Sequence, residues 1–173
     1  MGVSANRINL VLVVDRSGSM GGQRWNGVCR GVIDAISNLT SSDIVTVVTF
    51  NNTVDVIGPA PQASFPLREF AAKSPSGGTA LYDAIIAGLL GAVRLHVAVD
   101  MAQSLQTLTY VVVMTDGEDT ESKASLAMAC AAVEQINHLR NFKVGRGRVR
   151  RVCGRGAHCT EGRHYVWCAT VGG

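Results

Sequence analysis

The sequence predicts an open, doubly wound α/β sheet, mostly parallel, with one antiparallel edge hairpin. Three observations lead there. Short apolar runs alternate along the chain with segments of helical periodicity. The runs at 8–14 (INLVLVV) and 108–114 (LTYVVVM) are apolar without a polar alternate, as strands covered on both faces are. Asn51-Asn52 links the β-branched run 44–50 (IVTVVTF) to 53–57 (TVDVI) with the short connection of a hairpin.

The elements follow in order. After the strand at 8–14, Val28, Val32, Ile33, Ile36 and Leu39 recur at helical spacing and predict a helix over 24–39, ending near Thr40-Ser41-Ser42. The hairpin comes next. Pro59, Pro61 and Pro66 then punctuate a loop, and 67–73 (LREFAAK) reads as a short helix. A second loop, SPSGGT (74–79), opens an apolar helix, ALYDAIIAGLLGAV. The strand at 108–114 runs into a polar loop, TDGEDTES (115–122), and an Ala-rich helix spans about 123–139.

A chain of 173 residues, 47% apolar and 17% charged, is long enough to bury a core without disulfides and too apolar for disorder. No stretch of roughly 18 apolar residues is present, so no membrane insertion is expected. The start, MGVSANRINL, has no apolar signal core, which makes a cytoplasmic setting the expectation. Five cysteines, an odd number, do not suggest a disulfide framework; Cys29 and Cys130 fall in helical patterns and read as small buried hydrophobes.

In such sheets ligands sit beyond the carboxyl ends of the strands. Three polar loops fall there or at a helix start: DRSGSM after the first strand, SGGT before the central helix, and TDGED after the strand at 108–114. Between them they offer Asp15, Ser17, Ser19, Thr79 and Asp116. Two carboxylates and three hydroxyls, with positions left over, make an all-oxygen set suited to a hard divalent cation such as Mg²⁺ or Mn²⁺. Two carboxylates close together in a cleft also repel unless a cation lies between them. Gly18 allows the tight turn that sends Ser17 and Ser19 inward.

Asp15-Arg16-Ser17-Gly18-Ser19-Met20 resembles the D-x-S-x-S motif of von Willebrand factor type A domains, with Thr79 and Asp116 in the matching second and third loops. The resemblance covers roughly residues 7–144 and implies a metal-ion-dependent adhesion site. In it Ser17, Ser19 and Thr79 would contact the metal directly, and Asp15 and Asp116 directly or through water. The open position would go to an Asp or Glu of a partner protein. The function it implies is a divalent-metal-dependent protein–protein interaction module, not an enzyme.

Blander roles compete for the same residues. Ser17 and Ser19 could end a strand and cap a helix, and the Thr79 hydroxyl could cap the helix that begins at Ala80. SGGT could hold a phosphate at a helix N-terminus, but G-x-x-x-x-G-K-[ST] is absent. Glu118, Asp119 and Glu121 read as a solvated acidic loop and first helical turn, Asp83 as a source of local hydrogen bonds, and Met20 as a packing residue. Two enzyme chemistries also compete. An aspartate nucleophile after a strand wants a second Asp where Ser17 stands, and a serine hydrolase wants G-x-S-x-G with a partnering His. None of His96, His138, His158 and His164 is placed by motif near the loops. A metal-dependent hydrolase built on the same oxygens is the alternative that stays open.

The chain changes character after Val144. Residues 1–139 carry a net charge of −4, and residues 140–173 carry +7. The helix and strand that the resemblance implies after 142–144 are not recognisable, so the fold is expected to be truncated or altered at its C-terminal end. Val166–Val171 could supply a substitute strand. The domain is therefore bounded at 1–144 and followed by a basic Gly/Arg-rich tail, 145–173. Six arginines in 146–163 would suit a nucleic-acid or acidic partner. Cys153, His158, Cys159, His164 and Cys168 fit no standard zinc spacing. The loss of periodicity favours a third account, that the tail is irregular and no selected part of this fold.

Overall fold

A computed structural model describes residues 7–102, 107–137, 143–147 and 166–170. The body of the fold is a sheet in the order β3-β2-β1-β4, extended past β4 by β6 and then β5. β1 (Arg7–Asp15) lies at its centre and pairs in parallel with β2 (Ile44–Phe50) and with β4 (Thr107–Met114). β3 (Val54–Pro61) returns antiparallel on β2 and forms the expected edge hairpin.

Alternate residues of the strands feed two cores. Val11, Val13, Val48, Phe50, Val111 and Val113 pack against α3 (Leu81–Ala102) and α4 (Leu126–Asn137). Leu10, Leu12, Val14, Val45 and Val47 pack against α1 (Gln23–Ser37), with Phe70 of α2 (Leu67–Ala71) among them. Covering both faces explains why β1 reads as near-continuous apolar sequence: Val11, Val13 and Val14 are fully buried. Each is worth roughly 1.5–3 kcal/mol relative to exposure. This rigid strand holds Asp15 at its last position.

The structure departs from the sequence expectations in five places. β3 continues through Pro59 to Pro61, where a loop was expected; an edge strand needs no donor on its free side, and the ladder shifts register between Val45 and Val47. β4 is fully buried only on its α3 side, its other residues being half-buried. α3 runs to Ala102, well past Val93, and its 81–98 stretch is long and apolar enough to cross a membrane by length and composition (mean hydropathy 1.5). Its apolarity serves the sheet, since Ala84, Ile85, Leu89 and Ala92 are core residues. Gly88 lets it approach β1: a Cβ there would meet Val13 Cγ2 at 2.7 Å. α4 starts at Leu126, leaving Glu121 in the loop. Cys29 and Cys130 are half-buried thiols, and burial pushes the Cys29 thiol pKa up.

β4 is not the sheet's edge. β6 (Val166–Thr170), the substitute strand, pairs antiparallel with it, and β5 (Lys143–Gly147) pairs antiparallel with β6. Arg148, Arg150, Arg151, Arg155 and Arg163, the side chain of Arg146, and the zinc candidates Cys153, His158, Cys159, His164 and the Cys168 side chain lie outside the described residues, as does His138.

Candidate functional site

The three loops converge at the carboxyl end of the parallel strands. β1 ends in Asp15, which is fully buried. Its Oδ1 accepts the Ser17 amide at 2.7 Å, which folds the chain back on itself. Its Oδ2 accepts the Thr115 hydroxyl, from the end of β4, at 2.6 Å. Ser17, 2% exposed, stands at the start of a short 3-10 turn (Gly18–Met20), yet its hydroxyl caps nothing. It lies 3.0 Å from the hydroxyl of Ser19, and Ser19 donates to Asp116 Oδ1 at 2.8 Å. A continuous chain of oxygens thus crosses from the first loop to the third. Met20, just past the motif, is buried.

The second loop is tied to the first by backbone: Gly18 N–H donates to Gly77 O at 2.9 Å, and Ser76 N–H to Arg16 O at 2.8 Å. It is tied to the third by Thr79, whose amide donates to Thr120 Oγ1 at 3.0 Å and whose carbonyl accepts Thr120 N–H at 2.8 Å. The Thr79 side chain points at the junction: a Cβ built on Gly117, next to Asp116, would lie 3.7 Å from Thr79 Oγ1. That hydroxyl was expected to cap α3. It makes no hydrogen bond to any described residue, and the third loop caps α3 instead. Asp119 accepts the Tyr82 amide and Ser122 accepts the Asp83 amide. Asp83 in turn accepts the amides of Lys123 and Ala124, both at 2.9 Å. Its hydrogen bonds therefore reach 40 residues along the chain and pin the third loop, where only local ones were expected. Asp119 is likewise a fixed part of the loop.

Three residues hold the site in ways that sequence reasoning missed. Asn51 sits in the hairpin turn between β2 and β3. Its side-chain amide donates to Ser76 O at 2.9 Å, and its backbone carbonyl accepts the Ala80 amide at 2.7 Å. Asn52 accepts the Gly78 amide at 2.8 Å. Arg16, the variable position of D-x-S-x-S, donates to Asp55 on β3 at 2.8 Å and fastens the first loop to the hairpin. Burial opposes charge on Asp55, but hydrogen bonds and charge from Lys73 and Arg16 outweigh it and hold the carboxyl pKa below the usual range. The only hint in the sequence was the run of side-chain amides directly after a strand.

Electrostatically, the cluster pairs a buried carboxylate, Asp15, with a second, Asp116, whose side chain is 6% exposed. Asp116 Oδ2 accepts from Arg24, on the first turn of α1. Every donor atom here is oxygen, and among the described residues no group of three or more His, Cys, Asp or Glu side chains forms a metal cluster of another kind. Oxygen-only donors, two of them anionic, suit Mg²⁺ or Mn²⁺. Beside the cluster, a cleft of about 410 Å³ between α3 and α4 is lined by Thr115 and Gly117 at the loop and by Leu81, Ile85, Cys130 and Val133 beyond.

A family model for the von Willebrand factor type A domain matches residues 9–145. The chain belongs to that family. Such domains are generally non-catalytic protein-interaction modules. No curated protein matches the chain. Among solved structures, a von Willebrand factor type A protein from Catenulispora acidiphila is 22% identical, with a TM-score of 0.58, over 78% of this chain and 32% of its own. BatB of Bacteroides thetaiotaomicron is 21% identical with a TM-score of 0.49, over 74% of this chain and 62% of its own. The vWF domain of the type V pili tip protein Mfa5 of Porphyromonas gingivalis is 20% identical with a TM-score of 0.48, over 73% of this chain and 44% of its own. The chain therefore spans less than two thirds of each. At 22% identity and a TM-score of 0.58, the likeness to the Catenulispora acidiphila protein speaks to the fold of this von Willebrand factor A domain alone.

Proposed function

We propose that this domain is a non-catalytic, divalent-metal-dependent interaction module. Ser17, Ser19 and Thr79 would hold Mg²⁺ or Mn²⁺ with Asp116. Asp15, with both oxygens engaged by Ser17 and Thr115, would act from behind the serines through its charge. Bound there, the cation supplies an electrophilic position that an Asp or Glu of a protein partner completes. The observation that carries this reading is the oxygen chain Ser17–Ser19–Asp116, with the Thr79 hydroxyl unpartnered among the described residues beside it.

The hydrolase alternative needs a general base. His96, the histidine whose side chain is described, lies 15 residues into α3 from Leu81, about 22 Å along the helix at 1.5 Å per residue. No observation favours that reading. Nucleic-acid binding would rest on the tail alone.

The test is calorimetric titration of Mg²⁺ and Mn²⁺ into the purified chain, with thermal melts. Saturable 1:1 binding that raises the Tm is expected, lost in Asp15→Ala and Asp15→Asn while a cooperative melt persists. Unchanged affinity in both variants would sink the proposal.

A further inference from the structure

One contact in the cluster is not explained by a cation site, and it works against one. Arg24 Nη1 donates both to the Ser19 carbonyl, at 3.0 Å, and to Asp116 Oδ2. The two carriers differ in exposure: the Arg24 side chain is 56% exposed and that of Asp116 only 6%. The carboxylate is therefore fixed and sheltered, while the guanidinium reaches in from solvent. With Ser19 on Oδ1 and Arg24 on Oδ2, both oxygens of Asp116 are engaged.

We propose that Arg24 is a built-in competitor for the cation, a side-chain latch that neutralises Asp116 and braces the Ser19 carbonyl until a divalent ion displaces it. This rests on the metal-site reading above. Three features carry it. A positive charge at Asp116 Oδ2 is the charge that a metal would bring, so the two are alternatives at that oxygen. Arg24 sits at the first turn of α1, where the helix N-terminus favours acidic side chains; the first turn here has none, and a cation gains nothing from the dipole. Its placement is explained by its partners, Ser19 and Asp116. Finally, a half-exposed, long side chain can swing into water without disturbing the core, whereas the buried Ser17 and Asp15 cannot.

Cation uptake then becomes an exchange of one positive charge for another. The latch weakens metal affinity and leaves a freed guanidinium at the edge of the site whenever metal is bound. With its cationic half in water, an ion pair of this kind is modest in strength, so removing it should tighten Mg²⁺ binding by about three- to tenfold.

The experiment compares Mg²⁺ titrations of the full chain with those of Arg24→Gln and Arg30→Gln, read as heat and as the metal-induced rise in Tm. Arg30 is exposed on the same helix and, among the described residues, hydrogen-bonds only to the Asn26 carbonyl, so its variant removes the same charge without touching the site. Tighter binding by Arg24→Gln, with Arg30→Gln like the parent, supports the latch. Binding by Arg24→Gln where the parent binds none supports it more strongly. Equal or weaker binding by Arg24→Gln overturns the latch and leaves the metal site standing. Absence of binding in both the parent and Arg24→Gln overturns the site and the latch together. Arg24→Lys, which keeps the charge but not the guanidinium, should fall between parent and Arg24→Gln; binding as tight as that of Arg24→Gln would overturn competition by charge.

Discussion

The Thr115 hydroxyl donates to Asp15 Oδ2 across a parallel strand pair, at 2.6 Å and over 100 residues of sequence. It joins the end of β4 to the end of β1, so the orientation of the buried carboxylate depends on a residue that was not among the candidate ligands. Thr115→Val keeps the shape and removes the hydroxyl. Loss of about 1 kcal/mol of stability is expected, since one acceptor of a charged group goes unmet. Mg²⁺ affinity should fall with it, as Asp15 loses one of its two anchors. Denaturant melts and the same titration check this; an unchanged affinity would show that Asp15 is held by Ser17 alone.

Gly77 governs the second loop. Its φ of +74° is left-handed, and a Cβ there would lie 1.8 Å from Asn52 Oδ1. Gly77→Ala therefore carries both backbone strain and a collision with a side chain that holds the Gly78 amide. We expect a loss of about 1–3 kcal/mol and a marked fall in metal affinity, because Gly77 also accepts the Gly18 amide. Gly22→Ala is the control: its φ is also positive, at +69°, but no atom lies within 4 Å of the added carbon. A drop in affinity that Gly22→Ala matched would point to backbone strain in general and away from the loop contact.

Asp55 sets an acid limit on the first loop's anchorage. Its carboxyl pKa in the folded state is held below the unfolded value of about 3.9. A lowered pKa gives stability that is present above the unfolded value and is lost as the pH falls through the folded one. The Tm of the parent should exceed that of Asp55→Asn at neutral pH, and the gap should close below about pH 4. The side chain is 40% exposed, so added salt should narrow the gap as well. A gap that persists in acid would mean that Asp55 acts by packing.

The sequence by itself determined the layers and the location of the site. Near-continuous apolar strands and helices of period 3.6 can be buried together in few ways, and an aspartate after INLVLVV has to emerge at a strand's carboxyl end. Those are local properties, written in consecutive residues. Tertiary structure alone decided how the loops are held. That Asn51 supports Ala80, that Arg16 reaches Asp55, that Asp83 pins Lys123 and that Asp119 rather than Thr79 caps α3 are pairings between distant residues of ordinary type, and no periodicity announces them. The same holds for the continuation of β3 through two prolines, which depends on having no neighbour on one side, and for Arg24, whose partner on Asp116 is 92 residues away. Burial follows from which residues are apolar; partnership follows from which surfaces the packed sheet brings within 3 Å of one another.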